Sequence, residues 1–295
     1  MGHPFMHPKG RELLKRVALL FKSERIYIRQ NSHIVFVCGG RTTNKKTMRR
    51  RFLDYSNSSL PNHRIFLAEV ADKDLVSHSE PEIFSVAEFE TLISQVSDCI
   101  ILFPESPGSF AELGYFANNP EITKRLLVAN DADLQGEDSF IARGPILEID
   151  RASVYAPTIQ LDQVNPNFDL IKKRLDKWIG ERRKKFEFKK HGDLEPREGF
   201  FSVFEILRLF PCLTLEGVEF AYRSIFSNVN PREIRQFISI MVAAEYVMRC
   251  GPNGEHFIIQ PSISSFLDFN GQKAETLKLE VIDFYSEHAR DLAAL

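Results

Sequence analysis

At 295 residues the chain has room for about two domains of ordinary size, and its 43% hydrophobic and 26% charged content suits a globular protein with a real core. A net charge of −2 gives no overall attraction to nucleic acid, and no apolar run approaches the ~18 residues of a membrane span. Four scattered cysteines without a CxxC pair imply no disulfide framework, and Cys38 and Cys99, each in an apolar run, read as small buried hydrophobes. The opening "MGHPFMHPKG" lacks the basic-then-apolar order of a signal peptide, so a cytoplasmic protein is expected. With 25 phenylalanines, the interior should be rich in aromatic packing.

In chain order, "RELLKRVALLFK" (11–22) has helical spacing and "HIVFVC" (33–38) is a buried strand running into the turn Gly39-Gly40. The basic stretch "KKTMRRRFLDYS" predicts a helix, "HRIFLAEV" (63–70) a second strand, and "EIFSVAEFETLISQVS" (82–97) another helix. "DCIILF" (98–103) is a third strand, with Asp98 at its boundary; "SFAELGYFANN" is a helix and "RLLVAND" (125–131) a fourth strand. Alternating strands and helices predict an α/β fold with a doubly wound parallel sheet over residues 1–158, the N-terminal helix included. Residues 167–190 read as a helical stretch carrying ten basic and three acidic residues between Ile171 and Lys190, and "HGDLEPREG" (191–199) as a linker. Residues 159–198 are therefore expected to form a basic helix and linker. From 199 to 295, three helical runs lead into two short strands around Pro-Asn-Gly and a final amphipathic helix, the pattern of a smaller, helical winged helix-turn-helix domain.

Ligands of doubly wound sheets collect at the carboxyl ends of the strands. Those ends carry Gly39, Gly40 and Arg41, then Glu69, Glu105, Asn130 and Asp131, so acidic groups outnumber basic ones. The segment "FPESPGSFAELGYF" (103–116) adds Glu112 beyond an abrupt turn. Ser109-Phe110-Ala111-Glu112 fits a capping box, which by itself needs no catalytic role. A cluster of carboxylates raises at least one pKa, as acid or nucleophile roles require, and the nearby helix N-terminus would keep Glu112 ionised.

From His33 to about Tyr155 the chain resembles the nucleoside 2-deoxyribosyltransferase-like fold, through Cys38-Gly39-Gly40 and Gly108-Ser109-Phe110-Ala111-Glu112. "IILFPESPGSFAELGYFANN" resembles more specifically the effector proteins of type II retrons, bacterial anti-phage systems that join this domain to a winged helix. The resemblance implies an N-glycoside hydrolase, toxic when released, that cleaves the base–ribose bond of a nucleotide. NAD is the favoured substrate, and no cofactor is needed. It makes Glu112 the nucleophile and Glu105 a second catalytic residue, holding a ribose hydroxyl or carrying the proton. Gly39, Gly40, Arg41, Glu69, Glu90, Ser109 and Asp131 are then substrate-binding candidates, with Asp72 or Asp74 available to contact the base. Serine at 109 replaces the more common threonine. The implied partners are the retron reverse transcriptase and its branched RNA–DNA product (msDNA), met by the C-terminal domain and the basic 171–190 stretch, with a higher-order oligomer compatible and no membrane. Two rivals remain open at this point. One is a DNA-binding regulator with a nucleotide-sensing N-terminal domain, using Arg232 and Arg235, although the recognition helix that carries them soon turns apolar. The other is a nucleoside-salvage deoxyribosyltransferase.

Overall fold

A computed structural model describes residues 4–23, 25–29, 33–61, 63–71, 86–134, 139–178, 184–251, 253–269 and 273–288. Its elements begin with α1 (Pro8–Phe21), β1 (Tyr27–Ile28), β2 (His33–Cys38), α2 (Met48–Ser59), β3 (His63–Phe66), α3 (Val86–Val96), β4 (Cys99–Leu102) and α4 (Pro107–Ala117). Next come α5 (Pro120–Thr123), β5 (Leu126–Asp131), α6 (Leu147–Ala152), β6 (Ile159–Leu161), α7 (Asp169–Trp178), β7 (Lys184–Lys185) and α8 (Pro196–Leu209). The chain closes with β8 (Leu213–Thr214), α9 (Leu215–Phe226), α10 (Pro231–Ala243), β9 (Val247–Cys250), β10 (His256–Ile259), β11 (Leu267–Asp268) and α11 (Lys273–His288).

The chain divides into two compact units, one of Ser32–Val70 and Glu82–Glu181, the other of Met1–Asn31, Ala71–Pro81 and Arg182–Leu295. The first is built on a five-stranded sheet in the order β3-β2-β4-β5-β6, with every pairing parallel. Strands buried on both faces read as continuous apolar runs, and "HIVFVC" and "CIIL" do so. Val35, Val37, Cys99, Ile101, Leu127 and Ala129 share a core with Phe52 of α2 and with Ile171 and Leu175 of α7. Their neighbours Ile34, Phe36, Ile100, Leu102 and Val128 point to the other face and are equally buried. The chain runs from β2 outward to β3, then returns across β2 to β4, so the order reverses between β2 and β4. In open α/β sheets ligands bind in the crevice beyond the carboxyl ends of the strands at such a reversal.

Several expectations about the sheet need adjustment. The second strand stops at Phe66, and the backbone turns helical from Ala68, so Glu69 lies past the strand end. Asp98 is the boundary residue expected: its Oδ2 accepts from Ile34 N–H at 2.9 Å and ties the starts of β4 and β2 together. The edge strand β6 has no counterpart in the sequence reading. Asp72 and Asp74 lie outside the described residues.

The second unit centres on α8, in which every residue from Glu198 to Leu209 is buried, as expected of a helix that is apolar nearly all round. Here α8, α9 and α10 accompany an antiparallel sheet ordered β8-β10-β9, so the chain order is helix, strand, helix, helix, strand, strand. Helix α1 packs against α9 and α11, which assigns it to this unit and not to the sheet unit as expected. An amphipathic helix advertises that it packs, not what it packs on. The basic stretch is likewise not one helix: α7 ends at Trp178, and Lys184–Lys185 form a strand on β1. Nor is 191–199 a free linker. Glu195 and Glu198 cap the start of α8, and Glu198 is buried, 3.9 Å from Lys184 and 3.7 Å from Lys189. All four cysteines are free, with Cys212 and Cys250 Sγ 3.8 Å apart. Among the described residues no helix is long and apolar enough to cross a membrane.

Candidate active site

The crevice floor begins with the turn after β2. Gly39 has φ +154°, a region that side chains rarely adopt, and a Cβ there would lie 3.0 Å from Arg49 Cβ and 3.1 Å from Phe103 Cβ. Only glycine lets the β2 end approach both α2 and the end of β4 this closely. Gly39→Ala is expected to lower stability by about 1–3 kcal/mol, read as the urea midpoint, and to displace the Arg49 side chain.

The turn after β4 is secured internally. Ser106 is the N-cap of α4, accepting from Ser109 N–H at 3.2 Å, while Ser109 Oγ accepts from Ser106 N–H at 2.9 Å and Glu105 N–H at 3.0 Å. The capping box therefore joins Ser106 to Ser109, one turn before the expected pairing of Ser109 with Glu112. Pro107 explains the shift, because its fixed φ and missing N–H suit the first helical position. Ser109 is 1% exposed, and its hydroxyl also bonds Ser106 C=O at 2.9 Å, so it bolts the turn instead of facing a substrate.

Glu105 is also structural. Its carboxylate accepts from the backbone N–H groups of Gly40 (3.0 Å), Met48 (2.6 Å) and Arg49 (3.0 Å). It thus closes the Gly39-Gly40 turn and caps the first turn of α2 from outside that helix, where a negative charge is favourable. Both oxygens of this carboxylate are therefore engaged by backbone donors, an anchoring role that the sequence does not suggest.

Glu112 is released by this arrangement. It is the sixth residue of α4, beyond the first turn, so the helix N-terminus no longer stabilises its charge as expected. It is half-buried, and its Oε2 is fully buried without a hydrogen-bond partner. Burial pushes its pKa above the ordinary glutamate value; the Arg49 charge opposes this, Glu69 adds to it, and a hydrogen bond from the Cys38 thiol opposes it. Cys38 is itself buried and held protonated, first by burial and then by Glu112 and Glu90.

The structure thus gathers Glu112, Cys38, Glu69, Glu90 and Arg49 at the end of β2. Glu69 Oε2 receives Arg49 Nη2 at 2.7 Å, the arginine side chain being 7% exposed and the glutamate 42%. Glu90 on α3 is half-buried. Helices α3 and α4 are linked by the Thr91 and Tyr115 hydroxyls at 2.9 Å. Arg41 has an exposed side chain beside the turn. Asp131 ends β5 and accepts from Asp133 N–H at 3.0 Å; it is not among the charges that bear on Glu112.

Arg49 was not anticipated. It sits in a run of three arginines whose members do different things: Arg50 pairs with Asp54 at 2.8 Å, and Arg51 reaches the carbonyls of Gln163 and Val164. The available signal is spacing, since Arg49 precedes the buried Phe52 by three residues and shares its face.

Comparison with known proteins adds two findings. The profile of the STM3845 retron effector protein family matches residues 45–249. Two curated Escherichia coli proteins are similar over part of their length. One is named "Retron Ec86 putative ribosyltransferase/DNA-binding protein" and is 35% identical over 112 residues, 38% of this chain and 36% of that protein. Its retron Ec73 namesake is 36% identical over 121 residues, 40% of this chain and 38% of that protein. The similarity thus spans little more than a third of either relative.

Proposed function

The chain belongs to the STM3845 retron effector protein family, and from that premise we propose that it is an N-glycoside hydrolase whose nucleophile is Glu112. The observation that carries this reading is a half-buried carboxylate with an unpartnered oxygen, standing in the crevice where the strand order reverses. Beneath C1′ of a nucleotide, Glu112 attacks as the C–N bond breaks through an oxocarbenium-like transition state. The base leaves with the bonding electron pair, and water then hydrolyses the glycosyl ester to return the carboxylate. The two relatives carry the name "putative ribosyltransferase/DNA-binding protein", and the first part of that name supports chemistry at this carbon.

NAD remains the favoured substrate, and the fate of Glu105 strengthens that preference. With Glu105 held by backbone, a leaving group that departs without taking up a proton suits the site. The cationic nicotinamide of NAD leaves neutral, whereas adenine or cytosine needs a proton. The nucleotide-binding residues in this reading are Glu69, Glu90 and the Gly39-Gly40 turn, with Arg41 at its rim.

In the same reading the first unit is a nucleoside deoxyribosyltransferase-like domain, and the helix–strand–helix–helix–strand–strand segment of the second is a winged helix. The effector is toxic when freed, and is held in check by the retron reverse transcriptase and its RNA–DNA product. Lys173, Arg174 and Lys177 line a groove of about 340 Å³ beside the edge strand β6, which supports contact with nucleic-acid phosphates. The regulator reading is weakened because α10 buries Ile234 and all of Gln236–Met241, leaving it little free surface for a DNA groove.

Purified protein freed of partners, incubated with NAD, ribonucleotides and deoxyribonucleosides and followed by chromatography, is expected to release nicotinamide fastest. Release of a base only from deoxyribonucleosides would point to the salvage enzyme. No base from any substrate would favour the nucleotide sensor.

A further inference from the structure

Glu112 forms no ion pair with a described residue, although a guanidinium is buried in the same crevice. Arg49 is fastened on two sides: Nη2 bonds Glu69 at 2.7 Å, and Nη1 reaches the carbonyls of Gly40 at 3.3 Å and Gly39 at 3.5 Å. Its Nε is buried without a hydrogen-bond partner, and Glu112 Oε2 is in the same condition. Both side chains bear on one strand end: Arg49 packs against Gly39, and the thiol of the preceding residue, Cys38, acts on Glu112. A buried donor and a buried acceptor left unpaired are rare in a settled core, and such exceptions mark groups with work to do.

We infer that Arg49 is a positioning residue: anchored on Glu69 and on the Gly39-Gly40 carbonyls, its guanidinium holds the Glu112 carboxylate in the anionic form that attacks. The inference rests on Glu112 being the nucleophile. The groups facing Glu112 are Cys38 from β2, Arg49 from α2 and Glu69 from the turn after β3, while Glu90 from α3 acts on Cys38. Of these only Arg49 carries a positive charge. Without it, burial and Glu69 both favour the protonated, unreactive acid. Arginine suits the place better than lysine would, because one planar fork can grip Glu69 and two carbonyls while remaining charged.

The test follows Glu112 directly, by the 13C carboxyl shift of glutamate-labelled protein, with the signal assigned by its loss in Glu112→Gln. In Arg49→Met the Glu112 titration midpoint is expected to rise by about one pH unit or more. The acid limb of kcat/KM moves with it, so activity returns at alkaline pH. In Arg49→Lys the midpoint stays near that of the wild type. Glu69→Gln provides an independent arm if Arg49→Met does not fold: removing the like charge should move the midpoint down. Unmoved midpoints in these variants, or a loss of activity equal at every pH, would overturn the inference. If no substrate releases base, the proposed reaction fails, yet the midpoints still judge Arg49.

Discussion

Replacing Glu112 with glutamine is expected to reduce base release by roughly a thousandfold or more while leaving the protein at least as stable as the wild type. The first half follows from losing the anionic nucleophile while keeping its shape. The second follows from burial. The folded-state pKa of Glu112 is raised, so the native state holds its proton to higher pH than the unfolded chain does. Stability from this position is therefore full below the ordinary glutamate value and falls as pH rises through the raised one. Glutamine removes that decline, and it disturbs no cap, because Ser106 and Ser109 form the box without Glu112. Thermal melts should show the variant equal to or above the wild type at pH 7, with the gap closing toward about pH 4. A variant that kept full activity would remove Glu112 from the reaction. One that melted well below the wild type would mean that the carboxylate is structural.

A loss of the opposite kind is expected at Glu205. This fully buried residue of α8 accepts from the N–H groups of Phe266 at 2.9 Å and Leu267 at 3.3 Å, and from Ser265 Oγ at 2.5 Å. It also pairs with Arg208 Nε at 2.6 Å, and Arg208 continues to Glu275 of α11 at 2.7 Å. One carboxylate thus ties the central helix to β11 and, through Arg208, to α11. Glu205→Ala takes from the buried Arg208 its buried partner and leaves Phe266 N–H without this acceptor, and should cost about 3–5 kcal/mol in denaturant unfolding. Replacing the exposed partner Glu275 instead should cost no more than about 1 kcal/mol. Equal losses at the two positions would show that Glu205 is not the centre of this network.

The sheet was legible because parallel strands covered on both faces leave unbroken apolar runs, and the three central strands β2, β4 and β5 announce themselves that way. β6 does not: three residues at an edge, "IQL", make too short a signal. Glu112 stands out through its motif, but the capping pair and the anchoring of Glu105 are hidden in the sequence for two physical reasons. The serines at 106 and 109 are three residues apart, so either could open a capping box, and only Pro107 told them apart. The partners of Glu105 are 56 to 65 residues away in sequence, contacts that no local pattern encodes. Arg49 was hidden by its neighbours, since three consecutive arginines look like one solvated face until their spacing from Phe52 is considered.

The chain begins in the second unit, and all of the sheet unit is made before it returns to finish the second after residue 181. With residues 71–81 also assigned to the second unit, the two are interleaved, and this sets an order on vectorial synthesis. All residues of the sheet unit emerge before α8–α11 exist, whereas α1 must wait for α9 and α11, its packing partners, to be made. The sheet unit, Glu112 included, can thus be complete on the ribosome while the second unit is still half-made. Under the proposed restraint, a partner that docks on the second unit can bind only after the proposed reaction site already exists.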